Sequence, residues 1–461
     1  MIEMTLGEIA VVVGGEVSGD PGVTVTGPAF RDDRDPQQGG LFVAITGERV
    51  DGHDFAARAV AGGAAAVLGT RATGAPTVVV ADVQDALARL ARHVVDALRP
   101  TVLALTGSQG KTGTKDYLGQ VLAGAGPTVA TAGNLNNELG VPLTVLRAAP
   151  DTDFLVVEMG ARGIGHVAEL CRIAPPDVAA VLNVGTAHLG EFGSREAIAQ
   201  AKGEIVEALG PEGTAVLNAD DDLVAAMRHR TAARVLTFGE AGEVTWRGLV
   251  LDDLGRPSFE LGHAGEWHPV SLRQPGAHQV PNAVAAAAMA LAVGLRPAAV
   301  AAALTTAVPT SRWRMELHER PDGLVVVNDA YNANPASARA ALDALVSIGA
   351  RRSARTVAVL GVMLELGAAH DDEHAGVGRY AAERGVDVVV AVGPDAAGIA
   401  AGADAVPQWS GTSVTAEGRD EALAWVRQNV AAGDVVLVKA SRGAALESVA
   451  EGLLEGEEGS R

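Results

Sequence analysis

Thr106-Gly107-Ser108-Gln109-Gly110-Lys111-Thr112 is the stretch that decides the fold of this chain. It follows the apolar run Thr101–Leu105 and precedes a helical pattern. A strand, a glycine loop and a helix in this order form a phosphate cradle, because backbone N–H groups and the helix N-terminus point at the anion. Lys111 can reach the terminal phosphates, and Thr112 can ligate Mg²⁺. Leu105 stands where the usual phosphate loop has its first glycine, so a plain glycine-rich turn is the alternative.

Composition restricts the class of protein. At 461 residues the chain is too long for one core, and its 48% of hydrophobic residues can fill several. The net charge of −20 disfavours a nucleic-acid partner, but not a nucleotide, which needs only a few local cations. The single cysteine, Cys171, excludes a disulfide framework. No signal peptide is visible, and the longest apolar run, Ala283–Leu295, is too short to span a bilayer. We therefore expect a cytoplasmic monomer without membrane insertion.

Three blocks are readable along the chain. Residues 1–98 carry short strands and end in a helical pattern, Val83–Leu98. Residues 99–310 alternate apolar strands with helical patterns, which predicts a mostly parallel sheet, with Val244–Val270 as an antiparallel insertion. Residues 311–461 have the pattern of a smaller, Rossmann-like α/β domain. The predicted fold class is therefore α/β with three domains, the central one built around the phosphate loop.

The strands of the central block end in polar residues. These residues are Thr106, Glu158, Asn183 and Asn218. Ligands of open α/β sheets bind beyond the carboxyl ends of strands, so we expect the four side chains to share one crevice. Glu158 is a candidate Mg²⁺ ligand, because Mg²⁺ prefers hard oxygen atoms. The alternative for Glu158 is a helix cap or a salt bridge in a loop.

Three further segments carry groups that suit a binding site. The segment Gly133–Gly140 contains three asparagines, Asn134, Asn136 and Asn137, which supply donors and acceptors or else form a capping loop. His188 follows an apolar strand and is a metal or phosphate contact or a structural histidine. Lys202 has the setting of a solvated helix lysine, and a protonated lysine has no lone pair for Mg²⁺.

The junction of the second and third blocks holds two more charged candidates. Arg314 lies in Arg312–Glu316, and Asp329 opens the segment Asp329–Pro335. An arginine and an aspartate near a domain boundary can contact the phosphate and ribose of a nucleotide across a cleft. An interdomain ion pair is the alternative.

Together these segments resemble the Mur ligase family, ATP-dependent amide-forming enzymes of peptidoglycan synthesis. The resemblance covers almost the whole chain, and the short T-G-x-x-G-K-T loop matches the family, which accounts for the missing first glycine. Asp329–Pro335, Glu158–Ala161 and Leu360–Gly367 resemble the member that adds D-alanyl-D-alanine. Gly40–Ala44 and Asp51–Phe55 resemble its UDP-sugar-binding block.

The resemblance implies a role for each candidate residue. The expected ATP contacts are Gly107, Ser108, Gln109, Gly110, Lys111, Thr112, Asn282, Arg314 and Asp329. Two Mg²⁺ sites are expected at Thr112, Glu158, His188 and Lys202, with Lys202 carbamylated by CO₂ into a carboxylate-like ligand. The expected catalytic residues are Lys111, His188 and Lys202. The expected substrate contacts are Arg34, Asn134, Asn136, Asn137, Tyr331, Asn332 and Asn334.

The resemblance also implies a reaction and its partners. ATP would convert the peptide carboxylate of UDP-N-acetylmuramoyl-tripeptide into an acyl phosphate, which the amine of D-alanyl-D-alanine attacks. Residues 1–98 would bind the UDP-sugar peptide, residues 99–310 ATP and residues 311–461 the dipeptide. Another Mur ligase, a folylpolyglutamate synthetase-like ligase and a non-catalytic ATP-binding regulatory protein are the alternatives. Whether the third residue of the peptide is lysine or diaminopimelate stays open.

Overall fold

A computed structural model describes residues 1–47, 50–185 and 192–455 of the chain. Within these residues, the strands form a five-stranded, a nine-stranded and a six-stranded sheet in chain order, and a separate two-stranded pair. Helices connect most of the parallel strands, which cannot be joined by a tight hairpin. The predicted α/β fold class with three domains is confirmed. The residues at which we divided the domains stay a prediction.

The strands of the N-terminal region are Met4–Thr5 (β1), Glu16–Ser18 (β2), Thr24–Val25 (β3), Ala29–Phe30 (β4), Leu41–Val43 (β5), Ala66–Gly69 (β6) and Thr77–Val79 (β7), and its helices are Leu6–Val13 (α1), Ala56–Ala61 (α2) and Val83–Leu98 (α3). The five-stranded sheet has the order β2-β7-β6-β5-β4, and β1 and β3 form the separate pair. Helix α3 has the predicted bounds. Its side chains Leu87, Leu90 and Val94 belong to one apolar cluster with Val141 and Leu170, so the N-terminal region and the central region share a core.

The central region forms the nine-stranded sheet, in the order β16-β15-β14-β13-β12-β11-β8-β10-β9. Its strands are Thr101–Thr106 (β8), Thr128–Ala130 (β9), Phe154–Glu158 (β10), Val178–Val181 (β11), Thr214–Asn218 (β12), Arg234–Phe238 (β13), Val244–Leu251 (β14), Pro257–His263 (β15) and Glu266–Ser271 (β16). Its helices are Lys111–Ala123 (α4), Gly140–Val145 (α5), His166–Ile173 (α6), Arg195–Glu207 (α7), Asp222–Ala225 (α8), Gln279–Ala292 (α9) and Pro297–Thr306 (α10). Strands β8 to β13 pair in parallel, and β14, β15 and β16 pair antiparallel, as predicted for that insertion.

The C-terminal region forms the six-stranded sheet, in the order β17-β18-β22-β19-β20-β21, in which only β17 runs antiparallel among the described strands. Its strands are Glu316–Glu319 (β17), Val325–Asp329 (β18), Thr356–Gly361 (β19), Val388–Val392 (β20), Thr412–Ala416 (β21) and Val435–Lys439 (β22). Its helices are Pro335–Arg352 (α11), His370–Glu383 (α12), Ala397–Asp404 (α13), Arg419–Asn429 (α14) and Glu447–Leu454 (α15). Among the helices of the described ranges, none has both the length and the apolar character that crossing a bilayer demands.

The loop that follows β19 is held by His374, a fully buried side chain of α12. The ring Nδ1 lies 2.7 Å from the carbonyl oxygen of His370, which can only accept, so Nδ1 carries the proton. The ring Nε2 accepts the backbone N–H of Met363 at 2.9 Å. Burial lowers the pKa of His374. A second proton on Nε2 would point at the Met363 N–H, so this arrangement requires a neutral ring.

We predict that His374 makes the stability of the C-terminal region depend on pH. Because its pKa is lowered on folding, its contribution is present above the ordinary histidine value of about 6.5 and is lost as the pH falls through the folded-state value. His374→Ala should lower the free energy of unfolding by about 1–3 kcal/mol at pH 8, since it leaves the Met363 N–H unpaired, and by less at pH 5. Thermal unfolding at both pH values measures this. The exposed His229 provides the control His229→Ala, and an equal loss at both pH values in His374→Ala would contradict the account.

Candidate active site

A cavity of about 570 Å³ opens at the carboxyl ends of the central strands and extends to the C-terminal region. Three of the four polar strand ends line it, namely Glu158, Asn183 and Asn218, while Thr106 is fully buried beneath it. The other predicted residues that line it are Ser108, Gln109, Gly110, Lys111, Thr112, Asn134, Asn136, Asn137, Lys202, Asn282, Arg314, Asp329, Tyr331, Asn332 and Asn334. The expected crevice therefore exists, and it collects most of the predicted site residues.

The phosphate loop joins β8 to α4 and sits at the floor of this cavity. Gly110 has a φ of +79°, the left-handed region that glycine tolerates best. A Cβ at Gly110 would lie 2.3 Å from Oδ1 of Asn282, so the close packing of α9 also requires glycine there. The Lys111 ammonium donates to the Gly107 carbonyl at 2.7 Å. Helix α4 begins at Lys111, because the loop feeds directly into the helix.

Asn183, at the end of β11, fixes the loop from the neighbouring strand. Its Oδ1 accepts the Gln109 N–H at 2.9 Å, and its Nδ2 donates to the Gln109 carbonyl at 3.1 Å. The Ser108 N–H donates to the Asn183 carbonyl at 3.1 Å, and the Ser108 hydroxyl accepts the Gly185 N–H at 2.9 Å. The sequence placed Asn183 at a strand end but did not reveal that it orients the loop.

Glu158 has the surroundings of a metal ligand. The carboxylate is 1% exposed, and Nδ2 of Asn136 donates to its Oε1 at 2.7 Å. Its Oε2 is buried without a hydrogen-bond partner among the described residues. An unpaired buried carboxylate oxygen is costly unless a cation or a donor satisfies it. The residues present thus fit a cation, with the hydroxyl of Thr112 lining the same cavity.

The protein ligands for a cation are few. In residues 1–47, 50–185 and 192–455, no three His, Cys, Asp or Glu side chains come together as a metal cluster. That donor set suits Mg²⁺, which binds through one or two carboxylates and substrate phosphates and keeps several waters. His188, a further predicted ligand, lies outside the described residues.

Lys202 lines the cavity from α7 and is 4% exposed. Burial, together with the positive charge of Lys111, lowers the pKa of Lys202 well below its ordinary value. Arg230 holds the helix in place by donating to the carbonyls of Ala199 and Gln200 at 3.0 and 2.8 Å. The reading of Lys202 as a solvated helix lysine is therefore wrong, because its side chain points into the protein.

The three asparagines of the segment Gly133–Gly140 have different surroundings. Asn136 holds Glu158, as described above. Asn137 accepts the Gly140 N–H at 2.9 Å and so holds the loop at the residue where α5 begins, which is the structural alternative. Asn134 is exposed at the cavity wall. The substrate-binding roles of these three residues stay predictions.

The C-terminal wall of the cavity carries Arg314 against an aromatic face. The Arg314 guanidinium carbon lies 4.3 Å from the centre of the Tyr331 ring, and Trp313 stacks on Tyr331 with ring centres 6.5 Å apart. The Nε atom of Arg314 is buried without a hydrogen-bond partner in the described parts of the chain. Trp313 and Met315 both have left-handed backbones, with φ of +57° and +50°. Strain of this kind on both sides of Arg314 is typical of functional sites.

Asp329 forms an ion pair within the C-terminal region, not across domains. It ends β18 opposite Lys439, which ends β22, and the Lys439 ammonium lies 2.5 Å from Oδ2 of Asp329. The other oxygen accepts the Met315 N–H at 3.1 Å. Lys439 was not among the site residues predicted from the sequence. The chain has only four lysines, Lys111, Lys115, Lys202 and Lys439, and this scarcity was the available signal.

The remaining candidates take other positions. Asn334 caps α11 by accepting the Ser337 N–H at 2.8 Å, and the Asn332 carbonyl accepts from Lys439 at 2.9 Å. The side chain of Arg34 is 81% exposed in the N-terminal region, where it pairs with Asp32 at 2.6 Å away from the cavity. Gly107 lies behind the loop and contributes its carbonyl to Lys111.

A second cavity, of about 630 Å³, lies between α3 and α6. Its charged side chains pair locally, with N–O distances of 2.9 Å for Arg89 with Asp85, 2.9 Å for Arg92 with Asp96 and 3.7 Å for Arg172 with Glu169. Because these charges neutralise one another, the cavity at the phosphate loop is the better candidate for an anionic ligand.

Comparison with known families matches the chain along most of its length. The Mur ligase family catalytic domain matches residues 14–104, the Mur ligase middle domain residues 105–290 and the Mur ligase glutamate ligase domain residues 313–442. Two curated relatives carry the name UDP-N-acetylmuramoyl-tripeptide–D-alanyl-D-alanine ligase. The one from Mycobacterium tuberculosis is 46% identical and that from Escherichia coli is 35% identical, over 98% and 99% of both chains respectively.

Solved structures agree with these relatives. MurF from Acinetobacter baumannii superposes with a TM-score of 0.86 at 33% identity, over 98% of this chain and 99% of that one. The MurF ligase of Thermotoga maritima, solved in complex with ADP, superposes with a TM-score of 0.78 at 31% identity, over 93% and 97% of the two chains. The chain belongs to the Mur ligase family.

Proposed function

We propose that this chain ligates D-alanyl-D-alanine to UDP-N-acetylmuramoyl-tripeptide with the hydrolysis of ATP to ADP and phosphate, giving the pentapeptide precursor of peptidoglycan. One observation carries the proposal. A phosphate loop and a buried carboxylate with a free oxygen face an arginine and a tyrosine of the C-terminal region across a single cavity. Relatives of up to 46% identity with this ligase name support the choice of substrates.

The loop suits the first chemical step, in which the γ-phosphoryl group moves to the peptide carboxylate. A carboxylate is a poor electrophile, because its charge repels nucleophiles and oxide leaves badly, and an acyl phosphate removes both faults. The protein contributes position and charge neutralisation. The start of α4 and the Lys111 ammonium would face the phosphates, and Arg314 would approach from the opposite wall.

Mg²⁺, when bound, would neutralise the charge that develops on the phosphates during transfer. Thr112 would hold one ion together with the phosphates, and Glu158, His188 and carbamylated Lys202 would hold a second. Asn136 keeps Glu158 in place for this role through the hydrogen bond to Oε1. The free Oε2 of Glu158 supports the assignment, because it needs a cation or a donor that no described residue supplies.

Lys202 is suited to carbamylation. Its lowered pKa increases the fraction of neutral amine, which can attack the carbon of CO₂ and release one proton to solvent. The product is an anion with two oxygen atoms, and it would remove the repulsion between Lys202 and Lys111. It would also supply the oxygen ligand that an ammonium cannot.

The second step, attack by the amine of the dipeptide, needs protection from water. The C-terminal region forms the opposite wall of the cavity, so its closure would shield the acyl phosphate from hydrolysis. We assign the UDP-sugar peptide to residues 1–98, ATP to residues 99–310 and the dipeptide to residues 311–461. The walls of the cavity come from a single chain, which favours a monomer, and the lone Cys171 fits a reducing cytoplasm.

ADP release tests the proposal directly. With ATP, Mg²⁺ and UDP-N-acetylmuramoyl-tripeptide present, adding D-alanyl-D-alanine should raise ADP release strongly and form pentapeptide in equimolar amount. The assay should be run with tripeptides that end in lysine and in diaminopimelate. A steady ADP signal that ignores the dipeptide with both tripeptides would defeat the ligase assignment.

Lys202→Ala should lower the turnover by about 100-fold or more, because a metal ligand is lost. Acetate or formate should restore part of the activity by supplying the missing carboxylate. Equilibration with ¹³C-bicarbonate should give one carbamate signal by ¹³C NMR in the wild type and none in Lys202→Ala. Gln200→Ala, an exposed change on the same helix, is the control and should keep both signal and turnover. Full turnover in Lys202→Ala would rule out the carbamate.

A further inference from the structure

Helix α4, which follows the phosphate loop, is hydrogen-bonded to the linker that leads into the C-terminal region. Helix α10 ends at Thr306, and the linker runs from there to Met315. Gln120 of α4 binds the linker through both ends of its amide. Its Nε2 donates to the Val308 carbonyl at 2.9 Å, and its Oε1 accepts the Val308 N–H at 2.9 Å. These two bonds satisfy both backbone groups of one linker residue.

A second contact between α4 and the linker lies one helical turn closer to the phosphate loop. Asp116 and Lys115 are 7% and 3% exposed and form an ion pair at 2.5 Å. Oδ2 of Asp116 accepts the Ser311 N–H at 3.1 Å, and the Lys115 ammonium donates to the Ser311 hydroxyl at 3.2 Å. Asp116 and Gln120 are four residues apart, so they lie on the same face of α4. Together they bind the linker at two points.

The geometry of the linker changes immediately after this second point. Residues 308–311 are bound to α4, whereas Trp313 and Met315 have the left-handed backbones described above. Arg314 lies between them and lines the cavity three residues beyond Ser311. Asp116 lines the edge of the cavity, but its carboxylate binds Lys115 and the Ser311 N–H, and a buried ion pair is expensive to desolvate. Its use is therefore structural, and the structure it makes leads to Arg314.

We propose that Asp116 and Gln120 are positioning residues that fix the start of the linker to the helix of Lys111 and Thr112, and thereby set where Arg314 meets the nucleotide. This inference rests on the proposed use of ATP. It places the pivot for movement of the C-terminal region after Ser311, at residues 312–315. The loop and the start of the linker then share one rigid frame, and Arg314 lies three residues beyond the last point that α4 fixes.

A double-mutant cycle on nucleotide affinity tests the inference. The affinity of a non-hydrolysable ATP analogue with Mg²⁺ is measured by calorimetry for the wild type, Gln120→Leu, Arg314→Ala and the double variant. Arg314→Ala should weaken binding about tenfold, as expected for a lost charge-assisted hydrogen bond. Gln120→Leu should weaken it about fivefold in the wild-type background and less than about 1.5-fold in Arg314→Ala, because coupled residues are not additive.

Three controls separate positioning from general damage. Gln428→Leu, an exposed glutamine of α14, should leave the affinity unchanged. Gln120→Glu keeps the acceptor for the Val308 N–H and should lose less affinity than Gln120→Leu. Melting temperatures of all variants verify folding, and if Gln120→Leu does not fold, Ser311→Ala takes its place in the cycle with the same expected pattern.

Equal losses from Gln120→Leu in both backgrounds, or no loss in a folded variant, would overturn the inference, as would an Arg314→Ala variant with wild-type affinity. The measurement needs no acceptor substrate. A chain that bound ATP but ignored D-alanyl-D-alanine would thus refute the ligase proposal and still decide the role of Gln120.

Discussion

The structure depends on how the loop between β8 and α4 is held before any phosphate arrives. Backbone N–H groups bind an anion well only if they already point at it, because reorienting them during binding would cost free energy. Two constraints fix the course of the loop here, and with it the direction of the N–H groups at the start of α4. Asn183 forms hydrogen bonds with both backbone groups of Gln109 from the neighbouring strand, and Gly110 adopts a left-handed turn against Asn282. Helix α9 and strand β11 thus hold the loop from two sides.

The lysines of the chain are concentrated at or near the cavity. The chain carries a net charge of −20 and places most of its surface cations on arginines, yet its four lysines are all buried or line the cavity. Burial lowers the pKa of Lys111, Lys202 and Lys439. The ammonium groups of Lys111 and Lys439 and the guanidinium of Arg314 repel one another around one cavity, and a polyphosphate relieves that repulsion. The cavity is therefore built for a highly charged anion in an otherwise acidic protein.

Much of this could be predicted from the sequence, because some signals are local. The glycine loop, the apolar strands with polar ends and the helix Val83–Leu98 each depend on residues that are close together in the chain, and each appears as expected. The exact ends of helices are less local, because they depend on packing, and α9 begins at Gln279. The role of Asn137 at the start of α5 was an open alternative that the sequence alone could not decide.

Long-range partners could not be predicted. The Asp329–Lys439 pair joins residues 110 positions apart, and Gln120 meets Val308 across 188 positions. Neither pair leaves a pattern in the sequence, because strand order and helix packing create the contact. The same limit applied to Lys202, whose local pattern is that of a surface helix and whose burial comes from the way α7 packs against the sheet.

The central claim is that the cavity moves a phosphoryl group onto a carboxylate, and isotope transfer tests it most directly. The tripeptide carboxylate is labelled with ¹⁸O and the ligation is run with unlabelled ATP and water. If an acyl phosphate forms, the released phosphate must carry one ¹⁸O atom from the peptide for each amide made. Pentapeptide formed together with unlabelled phosphate would contradict the account, since the carboxylate oxygen would then have left by another route.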